Sequence, residues 1–348
     1  MAPEYEEFVF GGKRKAHFAW ADIRPVLSAK RLQDKVFHRA AQITIPDPDR
    51  FYQRKKTALA RVDSVADTAS DTLMAYVEAF PDFPGLHPFY AELVATMVDV
   101  DVARKDLARL QGTAAKVQEV CRKGGRQMQR TGKMDFLEAK RREVYGRVGS
   151  IIEDVAGPLR RLEKARRALA KLPTLEPEAP TLIIAGVPNV GKSALATRIC
   201  SAKPQVAPYP FTTQGIILGH GRMGGRTVQV VDTPGILDRP AENRNAIEQR
   251  ALAAVRHLGD IVLFLFDPTP GASQPEEAQE RLLGEVRALF GKKLVVEAEN
   301  KVDLVRGEGP RIKISAETGE GVAPLMKHLE SLMPDRSGRP AWVGEEEE

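Results

Sequence analysis

The residues best suited to chemistry lie between Gly186 and Ser193. The run Gly186-Val187-Pro188-Asn189-Val190-Gly191-Lys192-Ser193 fits G-x-x-x-x-G-K-[ST]. An apolar run, Leu182 to Ala185, precedes it and a helical stretch, Ser193 to Ile199, follows it. Strand, glycine loop and helix therefore occur in the order a phosphate site requires. Glycines let the backbone turn tightly, so consecutive N–H groups face one anion. The helix start, which includes Ala194, adds unpaired N–H donors and a positive dipole end. Lys192 would reach the outer phosphates, and the Ser193 hydroxyl would bind a magnesium ion. The bland alternative is an ordinary glycine-rich strand-to-helix turn.

Four further motifs follow in sequence order. Tyr209-Pro210-Phe211-Thr212-Thr213 offers a threonine whose hydroxyl binds magnesium and whose N–H touches a γ-phosphate, as a nucleotide switch needs. Thr213 is the first choice and Thr212 the alternative. Asp232-Thr233-Pro234-Gly235 closes an apolar strand, so Asp232 would hold magnesium through a water and the Gly235 N–H would meet the γ-phosphate. Lys192, Thr213 and Gly235 are thus the candidate catalytic residues. In Asn300-Lys301-Val302-Asp303 the Asp303 carboxylate would accept from guanine N1–H and the N2 amine. Adenine lacks that donor pair, so it would leave the carboxylate desolvated without partners. Asn300 would brace the loop, the Lys301 stem would cover the base, and the Ala316 N–H of Ser315-Ala316 would face guanine O6. An ATPase or kinase reading of the same phosphate loop conflicts with this guanine-reading stretch. Ile236 stands where some GTPases carry a water-orienting glutamine, so intrinsic hydrolysis is expected at about 10⁻³ per second or below.

These motifs need a scaffold. Short apolar runs at 182–185, 216–218, 228–231, 261–266, 294–296 and 311–314 alternate with helical stretches at 193–202, 241–258, 275–290 and 322–332. That alternation predicts an α/β fold: a P-loop GTPase domain with a mostly parallel sheet over residues 181–335. Before it, the chain reads as an all-α domain, residues 1–172. Helical periodicity runs over 26–42 and 51–80, then over two long stretches, 88–123 and 135–172. The two long helices would form an antiparallel hairpin, with a turn bracketed by Gly124-Gly125 and Thr131-Gly132 and a kink at Gly157-Pro158. Residues 173–180, rich in proline, read as an extended linker, and residues 336–348 as an acidic tail.

Composition narrows the partners. The 348 residues carry a net charge of only +5, but residues 1–172 hold 32 Lys and Arg against 23 Asp and Glu, and residues 101–172 hold 19 against 9. A basic helical half joined to a near-neutral half fits a polyanionic partner; a solvated basic surface is the alternative. Arg122, Lys123, Arg126, Arg130 and Lys133 cluster at the hairpin tip and are the candidate contacts to a phosphate backbone. Two cysteines, Cys121 and Cys200, are too few for a disulfide framework or a zinc site. No apolar run approaches the length that spans a bilayer. Together with an acidic N-terminus lacking a signal pattern, this leads to the expectation of a soluble intracellular protein. No dimer signal is evident, so a monomer is expected.

Several stretches are similar to the nucleolar GTP-binding protein 1 family, within the Obg-like, translation-factor-class GTPases. They are YPFTTQGIILGH (209–220), DTPGILDRP (232–240), NRNAIEQRALAAVRHL (243–258), FPDFPGLHPFYAEL (80–93) and EVYGRVGSIIEDV (143–155). The resemblance implies a GTPase that acts in assembly of the large ribosomal subunit and a helical domain that contacts ribosomal RNA. It also implies potassium as a second ion beside magnesium, with Asn189 as its ligand. Longer family members continue well past the GTPase domain. The short form looks archaeal, and from this a cytoplasmic location is expected. A GTP-gated protein scaffold with little turnover is the competing function.

Overall fold

The structure is a computed structural model and describes residues 20–207, 209, 215–232, 237 and 246–334. These residues divide into two compact units, one of 20–85 with 97–170, the other of 86–96 with the chain from 171 onward.

The first unit is helical. Its helices are α1 (Ala29–Ala41), α2 (Arg50–Ala79), α4 (Val100–Arg130), α5 (Met134–Glu153) and α6 (Ala156–Leu169); α3 (Pro88–Met97) lies almost wholly in the second unit. Local chemistry sets their starts. Asp49 Oδ1 accepts from the Phe51 and Tyr52 N–H groups, and Asp99 Oδ1 accepts from Val102 N–H, so both long helices begin on capped donors. The core is the apolar stripe of α4 (Leu110, Val117, Cys121, Met128) against those of α2 (Val62, Val65, Leu73) and α5 (Leu137, Val144, Ile152), all buried. Burial pushes the Cys121 thiol up to about 12, which suits a core side chain and not a nucleophile.

Three helix boundaries differ from the sequence reading. The stretch 88–123 is broken at Val98 and Asp99, where the Asp99 cap starts α4 afresh. Gly124-Gly125 is no turn: α4 runs through it to Arg130. A Cβ on Gly124 would lie 2.3 Å from Val144 Cγ2, so the glycine serves the close approach of α5. The stretch 135–172 is broken at Asp154 and Val155. Pro158 falls in the first turn of α6, where its missing N–H costs nothing.

The second unit is a seven-stranded sheet with helices. Its strands are β1 (Thr181–Ala185), β2 (Gln205–Ala207), β3 (Ile216–Met223), β4 (Arg226–Asp232), β5 (Ile261–Phe266), β6 (Leu294–Glu299) and β7 (Ile312–Lys313), in the order β2-β3-β4-β1-β5-β6-β7. Strands β4, β1, β5, β6 and β7 are parallel, and β3 and β2 extend the β4 edge antiparallel. Its helices are α3, α7 (Lys192–Ile199), α8 (Ala246–Val255), α9 (Glu276–Phe290) and α10 (Val322–Leu332). The central strands β1 and β5 are buried at every residue, which is why they read as unbroken apolar runs.

Residues 86–96 depart from the expected domain of 1–172. The Tyr90 hydroxyl lies 3.0 Å from Pro173 O and 2.9 Å from Leu175 O, and accepts from Leu175 N–H at 2.8 Å. The expected linker 173–180 is accordingly packed. Leu175 and Ala179 are buried, and Glu176 N–H donates to Gln229 Oε1. Its apolar side chains, alternating with prolines, hold it against the α/β unit.

Candidate nucleotide site

All five parallel strands end on the same edge of the sheet, and the described motifs, the loop after β1, Asp232 at the end of β4, the loop after β6 and the turn after β7, lie on that edge. Ligands in open α/β sheets bind outside the carboxyl ends of the strands, where neighbouring connections diverge. Here that point is the exit of β1, flanked by β4 and β5.

The loop after β1 has the backbone its glycines suggest. Gly186 has φ +137°, Gly191 has φ +100°, and Asn189 is left-handed at φ +61°. A Cβ on Gly186 would meet Leu265 O at 2.6 Å, and one on Gly191 would meet Asn300 Nδ2 at 2.2 Å. Both positions are closed to any side chain. Lys192 is buried, with its ammonium donating to Gly186 O at 2.8 Å and Val187 O at 2.9 Å. A charge so held has its donors aimed into the mouth of its own loop. Val187 and Val190 are buried and Pro188 is exposed. Ala194 is exposed in the first turn of α7.

Ser193 and Asp232, 39 positions apart, meet: Ser193 Oγ donates to Asp232 Oδ2 at 2.7 Å. Register explains it, since Ile184 of β1 pairs with Asp232 at the end of β4. Asp232 is fully buried. A buried carboxylate favours a cation beside it, and a hydroxyl next to a carboxylate supplies the hard oxygen donors that magnesium prefers. The two residues fit the ion. Thr212, Thr213, Gly235 and Ile236 lie outside the described residues.

The loop after β6, expected to read the base, is tied to the glycine loop after β1 by one side chain. Asn300 is buried; its Nδ2 donates to Val190 O at 2.7 Å and its Oδ1 accepts from Ala316 N–H at 2.8 Å. Asn300 thus braces three loops. The sequence reading placed the Ala316 N–H toward guanine O6; in the structure that donor goes to Asn300. Asp303 is exposed, its carboxylate on the surface of the same loop. Lys301 is left-handed at φ +65° and its ammonium pairs with Asp267 Oδ2 at 2.5 Å. Ser315 is fully buried and its Oγ accepts from Thr318 N–H, which shapes the loop behind Ala316.

Three supporting residues had no signal in the sequence. Asp267, at the end of β5, anchors Lys301 and accepts from the Thr269 hydroxyl. Arg198 of α7 donates to the Ala316 and Glu317 carbonyls. Ser273 Oγ donates to Pro188 O at 2.6 Å. Each is a common residue type far in sequence from the motif it supports. Cys200 is half-buried, and burial pushes its thiol up to about 11. Among the described residues no helix is long and apolar enough to cross a membrane.

Comparison with known proteins agrees with a GTPase domain in the second unit. The description "NOG1 N-terminal helical domain" matches residues 21–176, and "50S ribosome-binding GTPase" matches residues 181–301. Nucleolar GTP-binding protein 1 of Drosophila melanogaster is 34% identical over 258 residues, 74% of this chain and 39% of the fly protein. The protein of the same name from Saccharomyces cerevisiae is 31% identical over 299 residues, 83% of this chain and 45% of the yeast protein. An uncharacterized protein of Methanocaldococcus jannaschii is 35% identical over 248 residues, 71% of this chain and 69% of that protein. The chain spans less than half the length of the two nucleolar relatives. Their names overturn the expected cytoplasmic location, because relatives across eukaryotes are called nucleolar, and the length of the chain is no argument against them. A helical N-terminal unit followed by a GTPase domain, matched piece by piece, makes this chain a member of the nucleolar GTP-binding protein 1 family.

Proposed function

We propose that the chain is a guanine-nucleotide switch acting in assembly of the large ribosomal subunit. It binds GTP, hydrolyses it slowly to GDP and phosphate, and contacts ribosomal RNA through its helical unit. The observation that carries this reading is the convergence of Lys192, Ser193, Asp232, Asn300 and Asp303 on one sheet edge. The match of residues 181–301 to a 50S ribosome-binding GTPase supports the ribosomal target.

In this reading the N–H groups of residues 186–194 and the Lys192 ammonium bind the phosphates. Ser193 and Asp232, joined by Thr213, would hold magnesium, which would supply positive charge beside the phosphate oxygens. Gly235 offers its N–H to the γ-phosphate. Asn189 ligates potassium. Asp303 selects guanine, while Lys301, held by Asp267, lies over the base. With Ile236 in place of a water-orienting side chain, turnover waits on a partner. Arg122, Lys123, Arg126, Arg130 and Lys133 meet the RNA backbone, and Lys123, paired with Glu119, contributes least of the five.

The test is binding of the full chain to purified large-subunit particles with GTP, GDP and a non-hydrolysable GTP analogue. Retention should be strong with GTP and the analogue and lost with GDP. Equal retention in all three states would overturn the switch.

A further inference from the structure

We infer that one end of the helical unit, where the start of α2 meets the turn between α4 and α5, is a stacking platform for unpaired RNA bases. This rests on the RNA contact proposed above and narrows it to a kind of RNA.

The end is built, not incidental. Lys55 Nζ donates to Gln129 O at 2.7 Å and to Thr131 O at 2.9 Å, so a lysine of α2 satisfies the last carbonyls of α4. That pins the first turns of α2 beside the residues that lead into α5. Two large aromatic side chains lie exposed here, Tyr52 at 54% and Phe136 at 46%. The other large apolar side chains exposed among the described residues, Val206, Leu294, Leu304 and Val305, are aliphatic and belong to the α/β unit. A single exposed ring needs no explanation. Two at one end, with no exposed aromatic elsewhere among the described large apolar residues, call for one.

Support and charge point the same way. The Phe51 ring stands edge-on to Tyr52, with centroids 5.6 Å apart, and the Lys55 ammonium lies 5.9 Å from the Phe51 centroid. The Tyr52 ring is therefore backed from behind, which lowers the entropy it would lose on binding. Arg50, Arg54, Arg126, Arg130 and Lys133 are exposed at this end and form no ion pair among the described residues. Asp49 is occupied as the α2 cap, which leaves Asp135 and Glu138 of α5 as nearby exposed acids. Cations with open aromatic faces among them match a backbone of phosphates carrying accessible bases. A duplex hides its base faces in the stack, whereas loops and single strands present them.

The experiment measures fluorescence anisotropy of the full chain with a labelled mixed-sequence single-stranded RNA of about 20 nucleotides, longer than one such platform covers, and with the same strand annealed to its complement. Tyr52→Ala and Phe136→Ala should each weaken single-strand binding about tenfold and change duplex binding less than about twofold. The salt dependence of single-strand binding should stay as in the wild type, because the rings release no counterions. Tyr52→Phe and Phe136→Tyr should retain binding, and unchanged melting temperatures will show that the exposed sites tolerate alanine. Wild-type affinity for the single strand in the Tyr52→Ala, Phe136→Ala double variant would overturn the platform while leaving the RNA reading in place. Failure of the wild type to bind either probe would overturn the RNA reading itself. Loss of particle binding after RNA digestion in the alanine variants alone would make the partner a protein and overturn the inference.

Discussion

Asn300 Nδ2 lies 2.7 Å from the Val190 carbonyl and donates to it, so the loop after β6 and the glycine loop after β1 share a buried hydrogen bond across 110 positions of sequence. The same amide accepts from Ala316 N–H on its other side. Asn300→Ala leaves a buried acceptor and a buried donor without partners, each costing about 1–3 kcal/mol. GTP and GDP affinity should both fall about tenfold or more, because neither loop is held in shape. Titration with a fluorescent guanine nucleotide checks this; a loss confined to GTP would mean that the amide acts on the γ-phosphate instead.

In the proposed function Asp303 carries the choice of base. It is exposed on the loop that Asn300 holds, so Asp303→Asn should leave the fold and the melting temperature unchanged. Guanine would then face an amide where it needs a second acceptor, and xanthine, with a carbonyl at that position, would gain a donor. GTP affinity should drop about a hundredfold or more, in the range by which polar sites reject a mismatched analogue, and xanthosine triphosphate should bind better than GTP. Competition of the two nucleotides on the variant decides it, and undiminished GTP affinity would remove Asp303 from the site.

Acid sensitivity of the helical unit should trace to Glu163. Its carboxylate accepts from Arg166, Arg167 and the Val26 N–H, and the Arg166 guanidinium foremost among these holds it down at about 2. A carboxylate whose folded value lies below its ordinary 4.5 binds fewer protons folded than unfolded. Its contribution is therefore complete above about pH 4.5 and lost as pH falls toward 2. Glu163→Gln should lower the melting temperature at pH 7, and the gap to the wild type should close as pH drops through that window. A gap of constant size would assign the loss to packing and not to charge.

The GTPase domain was legible in the sequence because its signals are local. A tight anion loop needs glycine at fixed spacing, so Gly186, Gly191, Lys192 and Ser193 announce themselves, and Asn300 to Asp303 likewise. Strands β1 and β5 were visible because a buried central strand is apolar throughout. β2, three residues on an edge, has no such signature and was not anticipated.

What tertiary structure alone decided are the relations between distant residues. Sequence could offer Gly124 as a turn; only the 2.3 Å approach of Val144 shows it to be a contact inside a continuous helix. Proline content made 173–180 look like a free linker; the Tyr90 hydroxyl and buried Leu175 hold it down. Asp267, Arg198 and Ser273 became part of the site only when strand register brought the ends of β1, β4, β5 and β6 to one edge. Motif spacing is fixed by backbone geometry over a few residues and is written in the chain. Bracing is a matter of which surfaces meet, and that is settled by packing over the whole fold.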